Sequence, residues 1–134
     1  MAHYGTRGIY FINDNFTLRK EKTKELCNLM IEKKLNLEWV CDTRVDLVDD
    51  ELLELMSKAG CKVVWFGVES GSEKVLQRIG RNTKPEQVET AFKLCKKHGI
   101  KTACSFMIGL PDETLADMEV SLKFAKKLNP DFCM

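Results

Sequence analysis

The feature that most narrows the fold of this chain is an alternation. Short apolar runs rich in β-branched and aromatic residues take turns with segments of helical period. The runs are Ile9-Tyr10-Phe11-Ile12, Leu37-Glu38-Trp39-Val40-Cys41, Val63-Val64-Trp65-Phe66 and Thr102 to Ile108, and a fifth begins at Phe132-Cys133-Met134. Their nearly continuous apolar content predicts strands of a parallel sheet, buried on both faces. Between them, Leu26, Leu29, Met30 and Lys33 recur at helical spacing, as do Leu52, Leu55, Met56 and Ala59. Val88, Ala91, Phe92 and Cys95 do the same, followed by Met118, Ser121, Leu122 and Ala125; each set predicts an amphipathic helix facing a core. Gly60 and Gly99 sit where left-handed C-caps are wanted. Ser70/Glu73, Thr83/Glu86 and Thr114/Asp117 have capping-box spacing, and Pro85 falls in a first turn.

Predicted strands begin about 26 to 39 residues apart, the size of a βα unit. The expected architecture is α/β: a partial parallel (β/α) barrel of about four βα units plus a final strand, in a single domain over residues 1–134. A complete eight-unit barrel takes about 250 residues, so this chain cannot close one.

Composition excludes several function classes. With 21 basic and 20 acidic residues evenly mixed, the net charge of +1 gives no attraction to nucleic acid or an anionic membrane. No apolar run reaches the roughly 18 residues of a membrane span. The N-terminal Met1 to Arg7 is neither a signal nor a transit peptide, and a cytoplasmic location is expected. The six cysteines lie at least nine positions apart, without the paired short spacings of metal sites; buried, reduced thiols are expected, and no metal site. His3 lies in the N-terminal tail and His98 at a helix end, so no Ser-His-Asp constellation is visible. Neither G-x-G-x-x-G nor a P-loop occurs.

Ligands in parallel α/β sheets collect at the carboxyl ends of the strands. Four loops occupy those positions: Asn13-Asp14-Asn15-Phe16-Thr17, Asp42-Thr43-Arg44, Glu69-Ser70-Gly71-Ser72, and Gly109-Leu110-Pro111-Asp112-Glu113-Thr114. Each residue has a plain structural use. Asp14 and Asn15 are turn formers, Arg44 can pair with Asp42 or Asp46, Ser70 can cap a helix, and Gly109 can make a turn. Polar groups on one end of four successive strands nevertheless point to a binding rim.

Three ordered stretches, Phe11-Ile12-Asn13-Asp14-Asn15-Phe16-Thr17, Trp65-Phe66-Gly67-Val68-Glu69-Ser70-Gly71-Ser72 and Phe106-Met107-Ile108-Gly109-Leu110-Pro111-Asp112-Glu113-Thr114, resemble the radical S-adenosylmethionine (SAM) superfamily. The likeness is to the branch associated with a cobalamin-binding domain, which includes the anaerobic magnesium-protoporphyrin monomethyl ester oxidative cyclases. It extends from about residue 8 to residue 134. It implies a (β/α)₆ barrel that holds a [4Fe–4S] cluster through a C-x-x-x-C-x-x-C loop. There SAM is cleaved reductively to a 5′-deoxyadenosyl radical that attacks a small-molecule substrate. By the same resemblance Asn13, Asp14 and Asn15 face the methionine amino group and Arg44 its carboxylate. Glu69 faces the ribose hydroxyls or the methionine moiety, with Ser70 beside it among the cofactor-binding residues, and Ile108 and Gly109 meet the adenine.

Three departures qualify the likeness. Position 13 is Asn where many relatives have Asp, which makes Asp14 the better amino-group partner. Position 112 is Asp where the common pattern is Gly-x-Pro-Gly-Glu-Thr. No C-x-x-x-C-x-x-C occurs, so the chain is expected to be a fragment spanning the family's strands two to six, inactive alone, with any cobalamin held elsewhere. Its open first-strand edge is expected to pair with a second copy or a partner. The alternative is a stand-alone α/β ligand-binding module without radical chemistry.

Overall fold

A computed structural model describes residues 5–6 and 8–134. The remaining N-terminal positions, which include His3 and most of the stretch read for targeting, lie outside the described residues. The chain forms β1 (Gly8–Phe11), α1 (Lys20–Glu32), β2 (Glu38–Thr43), a 3-10 turn (Val45–Leu47), α2 (Asp50–Lys58), β3 (Cys61–Glu69), α3 (Glu73–Arg78), α4 (Pro85–Lys97), β4 (Lys101–Phe106), α5 (Leu115–Leu128) and β5 (Phe132–Cys133). The strands make one sheet in the order β1-β2-β3-β4-β5, every neighbouring pair parallel. Because right-handed crossovers in an unbroken order place all connecting helices on one side, the sheet is a barrel sector and not a doubly wound sheet.

That winding corrects the expectation of strands buried on both faces. In β2, buried Trp39, Cys41 and Thr43 alternate with exposed or half-buried Glu38, Val40 and Asp42. In β3, buried Val64, Phe66 and Val68 alternate with half-buried Val63, Trp65, Gly67 and Glu69. Helices cover one face, and the other is the face a barrel turns inward. An apolar run does not distinguish a barrel's inner face from a second helix-covered face. β3 also runs through Gly67-Val68-Glu69, which the sequence places after the strand, and β4 stops at Phe106, before Met107-Ile108.

Burial on α2 and α4 follows the helical spacing: Leu52, Met56 and Ala59 on one, Val88, Ala91, Phe92 and Cys95 on the other, with Leu53 added. On α1 and α5 the buried stripe is rotated. Thr23, Cys27 and Met30 face inward on α1 while Leu29 is 48% exposed. Ser121 and Phe124 face inward on α5 while Leu122 is 57% exposed. Cysteine and serine are small enough to allow a close approach that the bulkier leucines would block.

Two expected capping boxes are absent. The N-cap of α3 is Ser72, not Ser70. The N-cap of α4 is Lys84, whose N–H donates to Gln87 Oε1 at 2.9 Å, so Thr83/Glu86 is not the box. The Thr114/Asp117 box forms as the spacing predicts. Gly60 follows α2 with φ +98°, where an added Cβ would stand 2.0 Å from the Leu37 carbonyl oxygen; only glycine fits. The core centres on Trp39, whose indole N–H donates to the Ala59 carbonyl at 2.9 Å and whose ring meets Phe11 and Phe16 at centroid distances of 5.6 and 5.2 Å. All six cysteines are free, and only Cys133 is exposed.

Candidate functional site

The end of β3 is built to aim one carboxylate. Gly67 pairs with Ser105 and Glu69 with Phe106, so Val68 is the extra residue of a bulge, a device that re-aims a side chain at a strand end. Glu69 has the left-handed φ of +68°, uncommon for a residue with a side chain. Its carbonyl oxygen accepts from the Met107 N–H at 2.7 Å, which holds the turn against β4. Its carboxylate folds back over Gly67, where a Cβ would stand 2.7 Å from Oε1, and accepts from Arg81 Nη2 at 3.2 Å.

The next residues turn away from the rim. The Ser70 side chain is buried; its hydroxyl lies 2.9 Å from the Ser121 hydroxyl and accepts from the Ser72 N–H at 3.1 Å. The Gly71 N–H donates to Ser121 Oγ at 3.0 Å, and the Ser72 hydroxyl donates to Asp117 Oδ1 at 2.8 Å. Ser70 is therefore a clasp between this loop and α5, its hydroxyl turned beneath the rim.

At the end of β2, Arg44 donates from Nε and Nη2 to the two oxygens of Asp46, at 2.9 and 2.8 Å. This fork holds the Asp46 carboxyl below the usual aspartate range, through its hydrogen bonds first and its charge second. Asp42 accepts from the Tyr10 hydroxyl, 2.8 Å from each carboxylate oxygen, and that bond raises the Tyr10 phenol above its ordinary range. In the loop after β1, Asn13 and Asp14 are exposed. The Phe16 N–H donates to the Asp42 carbonyl at 2.9 Å, which draws the loop over β2. The side-chain oxygen of Asn15 is buried with no hydrogen-bond partner among the described residues.

After β4, Ile108 is 54% exposed and Gly109 takes φ +84°. The N–H groups of Gly109 and Leu110 donate to Glu113 Oε2 at 2.6 and 3.1 Å. Asp112 occupies the left-handed region at φ +59°, where the family pattern has glycine, and its carbonyl accepts from Arg78 Nη1 at 2.7 Å. The turn therefore keeps a glycine-type conformation despite the aspartate.

A cavity of about 350 Å³ joins these ends, lined by Asp14, Asn15, Asp42, Thr43, Arg44, Trp65, Gly67, Glu69, Arg81 and Ser105. Of the residues singled out in the sequence it gathers Asp14, Asn15, Arg44 and Glu69. Asn13, Ser70, Ile108 and Gly109 are not in its lining. The lining also includes Arg81 and Trp65, which the sequence reading does not single out as site residues. Arg81 follows α3 and comes beside Glu69 through the turn at Gly80 (φ +71°), where the Arg81 N–H donates to the Leu76 carbonyl at 2.8 Å, while Trp65 reads as one more apolar strand residue. A larger groove of about 650 Å³ lies at the opposite end of β4, between α4 and α5, lined by Lys93, Lys96, Lys101 and Lys127 among others. It contains none of the rim residues.

Among the described residues no group of three or more His, Cys, Asp or Glu is placed to hold a metal ion. Five of the six cysteines are buried in the core, and burial raises the thiols of Cys27 to about 11 and of Cys95 to about 12. The cysteines of this chain therefore do not fit a [4Fe–4S] cluster. Nor is any helix among the described residues long and apolar enough to cross a membrane.

The chain matches the model of the Radical SAM superfamily over residues 1–125. It is 37% identical over 129 residues to an uncharacterized methyltransferase of Pyrococcus horikoshii, covering 96% of this chain and 28% of that protein. It is 36% identical over 117 residues to the anaerobic magnesium-protoporphyrin IX monomethyl ester cyclase of Rubrivivax gelatinosus, covering 86% of this chain and 21% of that protein. The chain thus spans about a quarter of the length of these curated relatives. Among solved structures, the radical S-adenosylmethionine methyltransferase TsrM from Kitasatospora setae, with cobalamin and a [4Fe–4S] cluster bound, superposes with a TM-score of 0.89. Its identity is 20%, over 98% of this chain and 28% of that one, a likeness that speaks for the fold. By its matched residues and its parallel barrel sector, the chain belongs to the radical SAM superfamily.

Proposed function

We propose that these residues supply part of the SAM-binding rim of a radical SAM enzyme, spanning strands two to six of the family barrel. The full-length enzyme cleaves SAM reductively at a [4Fe–4S] cluster, and the 5′-deoxyadenosyl radical so formed attacks a small-molecule substrate. The cluster's ligands are not among these residues, and the chain alone is inactive. One observation carries the reading. A single cavity at the strand ends combines carboxylates, arginines and a buried amide oxygen that has no partner among the described residues, and SAM has an ammonium, a carboxylate and ribose hydroxyls to match them.

Each side chain has work suited to its chemistry. Asp14 and the buried Asn15 side-chain oxygen accept from the ammonium, and Asn13 borders them. Glu69 accepts from ribose hydroxyls or the ammonium. The sequence reading gives the ligand carboxylate to Arg44, but Asp46 already engages that guanidinium through two bonds. Arg81 gives one nitrogen to Glu69 and keeps further N–H donors, so it is the stronger carboxylate partner. Ile108 and the Gly109 backbone border the adenine from the β4 side. Ser70 acts through the loop, holding Glu69 in place from beneath. Cobalamin, which the TsrM structure contains, belongs in this proposal to a separate domain of the full-length protein.

The test is anaerobic reconstitution of the full-length protein with iron and sulfide, followed by reduction in the presence of SAM. Formation of 5′-deoxyadenosine, lowered at least tenfold in Arg81→Ala, is the expected result. A reconstituted protein that binds no SAM and releases no 5′-deoxyadenosine would overturn the reading.

A further inference from the structure

The floor of the 350 Å³ cavity carries a charge that the rim does not balance. Both arginines in the lining are engaged, Arg44 by Asp46 and Arg81 by Glu69. Asp42 has no cation within ion-pair distance among the described residues; its one side-chain partner there is the neutral Tyr10 hydroxyl. In register with Asp42 on the next strand stands Trp65, and beyond it Ala103, so the indole lies between a carboxylate and a methyl group on the inward face of the sheet. In-register residues of neighbouring parallel strands lie on the same face of the sheet, on strands about 4.8 Å apart. Asp42 and Trp65 both line the cavity and both are half-buried, beneath the rim that holds Asp14, Glu69 and Arg81.

We propose that Asp42 and Trp65 form a cation subsite in the cavity floor, and that it reads the sulfonium of SAM. The proposal rests on the SAM reading above and assigns to this chain the recognition of the charge that distinguishes SAM from its demethylated product. An ammonium has three N–H donors and needs acceptors, which the rim provides in Asp14, Glu69 and the buried Asn15 side-chain oxygen. A sulfonium has a positive charge and no donor. It is suited by an aromatic face, which attracts cations through its quadrupole, and by a carboxylate that a hydroxyl already holds in place. Tyr10 is then a positioning residue: its single hydroxyl spans both Asp42 oxygens and fixes their orientation without cancelling their charge.

The test compares SAM with S-adenosylhomocysteine, which lacks only the methyl group and the charge it confers, on the full-length protein carrying its cluster. Dissociation constants are measured anaerobically by calorimetry for wild type, Trp65→Leu, Trp65→Tyr and Asp42→Asn. The wild type is expected to prefer SAM. Trp65→Leu and Asp42→Asn should each shrink that preference by about 5- to 30-fold, chiefly by weakening SAM, while Trp65→Tyr keeps most of it. An unchanged ratio in Trp65→Leu and Asp42→Asn, or equal weakening of both ligands, would overturn the subsite and leave the SAM reading standing. A wild-type protein that binds neither ligand would overturn the SAM reading itself.

Discussion

Glu69 owes its position to two glycines that act differently. A Cβ at Gly67 would meet the Glu69 carboxylate oxygen at 2.7 Å, the far end of a flexible side chain that can swing away. A Cβ at Gly71 would meet Phe124 Cβ at 2.7 Å and the Ser121 Cα and Val120 carbonyl oxygen at 3.0 Å, which are fixed parts of α5. Gly67→Ala is therefore expected to leave stability within about 1 kcal/mol of wild type while lowering SAM affinity of the full-length protein. Gly71→Ala should cost about 2 kcal/mol or more through overpacking. Urea unfolding of both variants, paired with ligand titration, separates the two; equal destabilisation would refute the distinction. Asp112 gives a third case. At φ +59° it stands where a β-branched residue is strained, so Asp112→Val should destabilise by about 1–2 kcal/mol and Asp112→Gly should not. The sequence alone marks position 112 as a departure from the pattern, but only the backbone shows that the turn tolerates it.

At the level of elements, the start of α5 joins the loops after β3 and β4. Asp117 accepts from the Thr114 hydroxyl at 2.7 Å and from the Ser72 hydroxyl at 2.8 Å, so one carboxylate caps its own helix and ties down the loop after β3. These bonds, with Thr114 the larger contributor, bring its pKa from the ordinary 3.8 down to about 2. A carboxyl depressed in the folded state contributes stability above its unfolded pKa and loses it as pH falls through the folded one. Acid titration of the fold should therefore show a stability loss between about pH 4 and pH 2 that is absent in Asp117→Asn. A variant with the wild-type slope in that window would place the depression elsewhere. Ser121→Ala removes the acceptor of the Gly71 N–H and the partner of Ser70; a loss of about 1–3 kcal/mol is expected, read by thermal unfolding. The Thr114/Asp117 box was legible because its members are three residues apart. The Ser70–Ser121 clasp was not, because 51 residues separate its members.

For the whole molecule, the thiols report how firmly the sheet and helices hold together. Cys27, Cys41, Cys61, Cys95 and Cys104 are buried, and only Cys133 is exposed. Burial raises the Cys104 thiol to about 12, which suppresses the reactive thiolate. Alkylation followed by intact-mass analysis should modify Cys133 first, with the other five reacting only as the fold opens. Rapid labelling of any buried cysteine under native conditions would contradict a closed core. β1 and β5 end the sheet, each with one side unpaired among the described residues. Unpaired edges seek partners, and the isolated 134-residue chain is proposed to associate through them. Size-exclusion chromatography over a concentration series checks this, with a monomer at all concentrations as the contrary outcome.

The sequence by itself determined the alternation of strands and helices, the parallel sheet, the ends that bear polar groups and the superfamily. Each of these is written in local periodicity or in short ordered stretches of residues. Tertiary structure decided which face of each strand is covered, because winding order and not composition places the helices. It also decided which rim residues meet: Ser70 turns under α5, Asp46 engages Arg44, and Arg81 arrives beside Glu69 from 12 residues away. Trp65 and Asp42 came together the same way, as register partners on neighbouring strands. Contacts between side chains distant in sequence depend on how the strands align, and no local pattern carries that alignment.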